Sequence, residues 1–174
     1  MSSASSMLQR PEWLRLWGRG SALGAAVAVA AFLADLLSKN YLIDLLYGRF
    51  PPKIAVTPFF DIVLSWNRGI SYGILSSNQW FAQPALIGIG AIIVVVLLVW
   101  LAHARSAIVS IALGMVIGGA AGNLWDRIRF GAVADFFSFH AWGFYWYIFN
   151  VADVWIVVGG AVLIWQTAGL KHRR

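Results

Sequence analysis

The chain carries seven acidic side chains, Glu12, Asp35, Asp44, Asp61, Asp126, Asp135 and Asp153, and two of them, Asp35 and Asp153, lie inside strongly apolar runs. An ionisable group in a hydrocarbon setting is costly unless paired, so its presence there signals function. Asp153 has no cation within a helical turn on either side. Asp135, in the run AVADFF nine residues after Asp126, is likewise flanked by apolar neighbours. Two carboxyls brought together in a poorly solvated site can share one proton. One then acts as general base on a water while the other donates a hydrogen bond to the carbonyl under attack. A proton or ion relay through membrane carboxyls uses the same residue type, and spacing alone leaves both readings open.

Three further constellations surround these acids. Asp35 and Lys39 are four apart, share a helix face and can pair; Lys39 can also snorkel to an interface. Asn123 and Asp126, in the run GNLWDR at 122–127, face the same way if the helix continues, and the adjacent Arg127 offers Asp126 a charge partner. That group could fix a helix end or take part in chemistry. Asn150 and Asp153 repeat the polar i, i+3 spacing. Other catalytic devices are weak. His103, His140 and His172 lack metal-type spacing, and neither a GxSxG elbow nor a phosphate-binding loop is present. A Ser–Lys pair would need Ser38 or Ser71 with Lys39, and Ser38 points away from its helical neighbour. With no cysteine in the chain, disulfides, thiolate catalysis and Cys-based metal sites are excluded.

The elements that must position these groups follow from composition. Of 174 residues, 60% are hydrophobic and 11% charged, with a mean hydropathy of +0.75. Soluble domains carry about 25% charged residues, so a soluble enzyme is excluded, and 15% aromatic residues exclude a disordered chain. An integral membrane protein remains, as one domain over residues 1–174. A helix crosses a bilayer in about 20 apolar residues, which predicts spans at about 22–43, 84–102, 107–125 and 148–168. The apolar stretch after Arg10, Arg15 and Arg19 is too long for a cleaved signal peptide, so a retained helix is expected. Four spans put both termini on one side. Basic clusters at the two ends favour the cytoplasm, although Lys and Arg divide seven to six across the membrane. The net charge of +6 is spread along the chain and suits anionic lipid headgroups better than nucleic acid. Segments 44–83 and 126–147 then face outward. The first reads as short strands; the second, with FFSFHAWGFYWYIF, reads as an interfacial aromatic belt with a short half-helix.

Taken together, the motifs resemble one family, the lipoprotein signal peptidases (signal peptidase II). The matching pieces are Asp35-x-x-x-Lys39, Asn67-x-Gly69 followed by SYG, GNLWDR at 122–127, VADFF at 133–137 and FNVAD at 149–153, in the family's order over about residues 33–160. The resemblance implies a bacterial membrane aspartyl peptidase that cleaves diacylglyceryl-modified prolipoproteins before the lipidated Cys. It carries the catalytic pair onto Asp135 and Asp153. Asp126, Arg127, Asn123 and Asn150 fall on supporting positions, as do Asp35, Lys39, Gly122 and Ala152; Asn67 and Gly69 would line the substrate entrance. It further implies four transmembrane helices with a small periplasmic β-cradle, no metal or organic cofactor, globomycin-type inhibitors, and a monomer in the inner membrane with its site near the outer face. Two departures are the apolar residue after Asp35 in DLLSK and Tyr72 where the family usually has Phe; neither touches the catalytic pair, and their reach is at most substrate affinity. The rival reading is a small transporter or channel subunit with Asp35, Lys39 and Asp153 as a proton path; a third is an assembly factor without chemistry. A relay needs carboxyls at successive depths, whereas Asp126, Asp135 and Asp153 all map to the outer ends of spans three and four.

Overall fold

A computed structural model describes residues 18–69 and 82–171. Runs of Ala, Val, Leu and Ile form four helices, each long and apolar enough to cross a membrane: α1 (Arg19–Leu46), α2 (Ala82–His103), α3 (Ala107–Phe130) and α4 (Val151–Lys171). Each helix overlaps its predicted span, with ends shifted by up to five residues, and two of these shifts bear on the site. The third helix runs on through Asp126 and Arg127 to Phe130, so these residues belong to the helix and not to the outer connection. The fourth begins at Val151, with Asn150 as its cap.

Helix α3 is the hub. It packs against α1, α4 and α2, and its small side chains permit the close approach. A Cβ on Gly118 would collide with the Ala28 carbonyl of α1, and one on Gly119 with the Ala152 carbonyl of α4. Such contacts suit association in lipid, where close van der Waals packing replaces the hydrophobic drive. Helix α2 lies at the periphery, and the only buried side chains it contributes among the described residues are Ala82 and Leu101.

The strands β1 (Lys53–Thr57), β2 (Phe60–Asn67), β3 (Val133–Ala141) and β4 (Phe144–Tyr145) make one antiparallel sheet in the order β1-β2-β3-β4. The strands expected in segment 44–83 are thus present. In segment 126–147 the half-helix expectation is corrected: the aromatic run forms the β3–β4 hairpin. Its two-residue turn, Trp142 and Gly143, has φ of 50° and 80°, the doubly positive geometry that matches strand twist. Leu42 and Leu46 of α1 pack with Ala134 and Phe136 of β3, seating the sheet on the helix ends. The buried Asp61 of β2 ties the three long strands together, with Lys53 Nζ at 2.7 Å and His140 Nε2 at 2.8 Å. The Lys53 hydrogen bond holds the Asp61 carboxyl below the usual carboxylate range.

Candidate active site

Four chain segments deliver polar side chains to the junction of helices and sheet. Gly131, with φ of 67° and its N–H on the Arg127 carbonyl at 3.0 Å, ends α3 and turns the chain into β3. Three residues further, Ala134 N–H donates to Asp126 Oδ2 at 3.1 Å, which fixes the start of β3 against the helix it has just left. Phe136 and Phe137 N–H then donate to the Phe149 carbonyl at 3.0 and 2.8 Å. This pairing brings the start of α4 alongside Asp135.

At that start, Asn150 and Asp153 form a reciprocal cap: Asp153 N–H donates to Asn150 Oδ1 at 3.0 Å, and Asn150 N–H donates to Asp153 Oδ2 at 3.1 Å. The i, i+3 spacing seen in the sequence has this local cause. Asn150 Nδ2 also donates to Asp135 Oδ1 at 2.7 Å, and Asn123 Nδ2 donates to Asp153 Oδ1 at 2.9 Å. Asn67, at the end of β2, donates from Nδ2 to Asp135 Oδ2 at 3.1 Å. Its own Oδ1 accepts from Gly69 N–H at 3.1 Å. Asp135 and Asp153 therefore share one network of three asparagine amides.

Burial, reinforced by the nearby charge of Asp153, pushes Asp135 up from 3.8 to about 7, against the opposing pull of the Asn67 and Asn150 hydrogen bonds. A carboxyl poised near neutrality can hold or release a proton under physiological conditions, which is the property a shared-proton pair requires.

Beneath the pair lies an ionic layer. Lys39 Nζ is 2.7 Å from Asp35 Oδ2, 2.9 Å from Asp126 Oδ2 and 3.1 Å from Asn123 Oδ1, and the lysine is only 2% exposed. It neither snorkels nor stands in an isolated i, i+4 pair. Asp35 Oδ1 accepts from Ala152 N–H at 2.9 Å and so serves the N-terminus of α4 from another helix. Gly122 is required here: a Cβ would collide with the Asp35 carboxylate. The expectation that Arg127 partners Asp126 is corrected, since that partner is Lys39. Arg127 instead donates to the Gly69 carbonyl at 2.9 Å and to Gln83 Oε1 at 3.4 Å, while Gln83 donates to the Arg68 carbonyl. Arg127 thereby clasps the end of β2 to the start of α2.

The structure gathers Asp35, Lys39, Asn67, Gly69, Gly122, Asn123, Asp126, Arg127, Asp135, Asn150, Ala152 and Asp153 into this one region; SYG at 71–73, with Ser71 and Tyr72, lies outside the described residues. Two participants escaped sequence reasoning. Tyr147, absorbed into the aromatic belt, accepts from Asn67 Nδ2 at 2.8 Å, and Gln83 was read only as the edge of a loop. Among the described residues, no group of three or more His, Asp or Glu side chains is arranged to hold a metal ion.

The chain matches the signal peptidase (SPase) II family over residues 27–168. It belongs to that family. It is 43% identical to the lipoprotein signal peptidase of Methylocella silvestris over 145 residues, covering 83% of this chain and 85% of that one. It is 42% identical to the lipoprotein signal peptidase of Nitrobacter hamburgensis, covering 83% of this chain and 90% of that one. A bacterial membrane enzyme solved by the in meso method at 2.3 Å superposes with a TM-score of 0.72 at 27% identity, covering 89% of this chain and 90% of that one. This signal peptidase II family member is thus a protease with membrane-spanning helices, as the sequence resemblance implied.

Within it, Asn67→Ala is expected to cut turnover while leaving the four helices intact. It removes a hydrogen bond to a carboxyl, worth about 1.5–3 kcal/mol, or roughly ten- to a hundredfold in rate. Because that hydrogen bond holds the Asp135 titration down, its loss should also raise the pH at which Asp135 gives up its proton, and with it any fall of the rate on the alkaline side. Wild-type rate and profile in the purified variant, at unchanged helicity, would remove Asn67 from the site.

Proposed function

We propose that this chain removes the signal peptide from diacylglyceryl-modified prolipoproteins, cutting just before the lipidated Cys, with Asp135 and Asp153 as the catalytic pair. The observation that carries the mechanism is the pairing of a buried Asp135, titrating near 7, with Asp153 through shared asparagine amides. Family membership supports the substrate class, since relatives at about 40% identity carry the name lipoprotein signal peptidase.

One carboxyl, ionised, takes a proton from a water as its oxygen bonds to the carbonyl carbon. The other, protonated, donates a hydrogen bond to the carbonyl oxygen. Collapse of the tetrahedral intermediate breaks the C–N bond, and the leaving nitrogen takes a proton from the pair. Asn67, Asn123 and Asn150 fix the carboxyl oxygens, and Lys39 with Asp35 and Asp126 holds the elements that carry them. The chemistry calls on no cofactor, and the proposed enzyme works as a monomer. Globomycin-type inhibitors would occupy the same site. The proton-path alternative is disfavoured because the carboxyls converge on one connected hydrogen-bonded network at a single end of the helices.

The direct test is purified protein in detergent, incubated with a lipidated prolipoprotein and read by gel shift; no cleavage would overturn the proposal. A pH dependence follows from the same geometry. Once Asp135 loses its proton the pair carries two charges and no donor remains, so cleavage should decline as pH rises through about 7. A rate still climbing well above that pH would contradict a shared proton. The basic clusters at the two ends of the chain support a topology with both termini cytoplasmic and the sheet and site near the outer face of a bacterial inner membrane. A reporter active only in the periplasm, fused after Arg174, should stay silent; activity there would invert the arrangement.

A further inference from the structure

Between the β3–β4 hairpin and the cap of α4 the chain runs Trp146-Tyr147-Ile148-Phe149, and both ends of this stretch are pinned to β3. Trp146 N–H donates to the Phe139 carbonyl at 2.7 Å, and Phe149 N–H donates to the Phe137 carbonyl at 3.2 Å. The second tie is reciprocal, since Phe137 N–H donates to the Phe149 carbonyl at 2.8 Å. Tyr147 therefore stands on a segment that backbone hydrogen bonds hold beside the strand carrying Asp135. Its ring is half-buried and lines a cavity of about 530 Å³ that also takes in Asp153 and Val154. Its hydroxyl reaches Asn67 Nδ2 at 2.8 Å.

A carboxamide offers two N–H donors and one carbonyl acceptor. Asn67 uses all three: one N–H on Asp135 Oδ2 at 3.1 Å, the other on the Tyr147 hydroxyl, and the carbonyl on Gly69 N–H at 3.1 Å. The contacts to Tyr147 and Gly69 are indifferent to the charge of Asp135. The contact to Asp135 is not. An ionised carboxylate only accepts, whereas a carboxyl that holds the proton can donate it to an amide oxygen. Through a cycle in which that proton comes and goes, Asp135 alone would not keep the nitrogen of Asn67 turned toward it. Tyr147 holds the nitrogen end and Gly69 the oxygen end.

We infer that Tyr147 is a positioning residue for the carboxyl pair: by accepting one N–H of Asn67 it keeps the other aimed at Asp135. This rests on the peptidase reading above. The charged groups around Asp135 are Asp153 of α4, Lys39 of α1 and Arg127 of α3, with Asp126 held to the same strand through Ala134 N–H. Tyr147→Phe keeps all of them and keeps the ring on the cavity wall. It removes only the hydroxyl.

The test is Tyr147→Phe with a full-length lipidated prolipoprotein, alone and in an Asn67→Ala background. Alone, kcat should fall roughly three- to tenfold, the worth of one neutral hydrogen bond, with KM unchanged. The fall is smaller than for Asn67→Ala because Gly69 still holds the carbonyl. A donated N–H favours the ionised carboxyl, so a looser Asn67 should also raise the pH at which Asp135 gives up its proton. In the Asn67→Ala background Tyr147→Phe should change nothing further, since a residue that acts through a side chain has no effect once that side chain is gone. Tyr145→Phe, on the exposed strand β4, should match the wild type. Wild-type kcat and pH profile in Tyr147→Phe would overturn the inference. So would a rise in KM alone, or a fall in kcat of equal size with and without Asn67.

A second measurement reads the same link without turnover. The infrared carboxyl band of Asp135, isolated as the difference between a protein and its Asp135→Asn counterpart, should titrate at higher pH in Tyr147→Phe than in the wild type. An unmoved midpoint would overturn the positioning role while leaving the peptidase reading intact. Wild-type protein that cleaves no lipidated prolipoprotein would overturn both.

Discussion

Asp135→Asn and Asp153→Asn should each abolish cleavage of a lipidated prolipoprotein, by roughly 10⁴-fold or more, the scale on which enzymes lose a group that acts as part of a unit. An amide cannot exchange the proton that the water-attacking step demands. Both proteins should still fold. Asn nearly matches Asp in shape, and at position 135 it removes a charge from a buried place. At 153 the amide oxygen can still accept from Asn150 N–H, keeping the cap of α4, while the contact from Asn123 Nδ2 is lost because two amide donors then face each other. Loss of such a capping or amide contact costs about 1 kcal/mol, a few degrees of melting temperature in a chain of this size. Yield, melting temperature and cleavage rate measured side by side decide the matter. Substantial turnover in either variant would dissolve the pair.

The expected behaviour of these two residues rests on an arrangement that the sequence discloses unevenly. Hydropathy sees apolar runs, and the four helices were legible to within a few residues for that reason. It stops early at α3 because Asp126, Arg127 and Arg129 look like the end of a span. The helix continues because Asp126 is neutralised by Lys39, and no local pattern reports a partner on another helix. The Asp35 hydrogen bond to Ala152 N–H crosses 117 residues of chain, and that from Asn123 Nδ2 to Asp153 crosses 30. Motif order in the resemblance, not spacing, is what gathered these residues into one expected site.

The aromatic run after α3 shows the other limit. Its residues are equally at home in an interfacial belt and in strands, since bulky aromatics favour both. The deciding signal was the turn, where Trp142 precedes Gly143 in place of the usual Asn-Gly or Asp-Gly pair. Missing the hairpin hid the pairing of β3 with β2, in which Asp135 stands opposite Ser65 and Asn67 opposite Val133. It also hid Tyr147, whose hydroxyl reaches Asn67.

The largest effect on stability is expected from Lys39→Met. This lysine is the one cation between two buried carboxylates, and removing it leaves Asp35 and Asp126 facing each other in the packed junction of α1 and α3. Breaking a buried pair by deleting one partner costs about 3–5 kcal/mol. In a chain of this length that is a fall of about 10 °C in melting temperature, with lower yield. Asp126→Asn should cost less, because Lys39 keeps Asp35 and the amide oxygen can still accept from Ala134 N–H. Arg127 should be the lesser influence on either effect, since it hydrogen-bonds Gly69 and Gln83 and meets Asp126 only through a longer-range charge interaction. The decisive comparison adds a compensated variant, Lys39→Met with Asp35→Asn and Asp126→Asn, which carries no unpaired charge in the layer. If uncompensated charge is the cause, this triple variant should regain most of the melting temperature that Lys39→Met loses. If lost packing or the lost contact to Asn123 is the cause, it should remain as unstable as the single variant. Lys39→Met melting with the wild type would show that the ionic layer contributes nothing to holding the helices that carry Asp135 and Asp153.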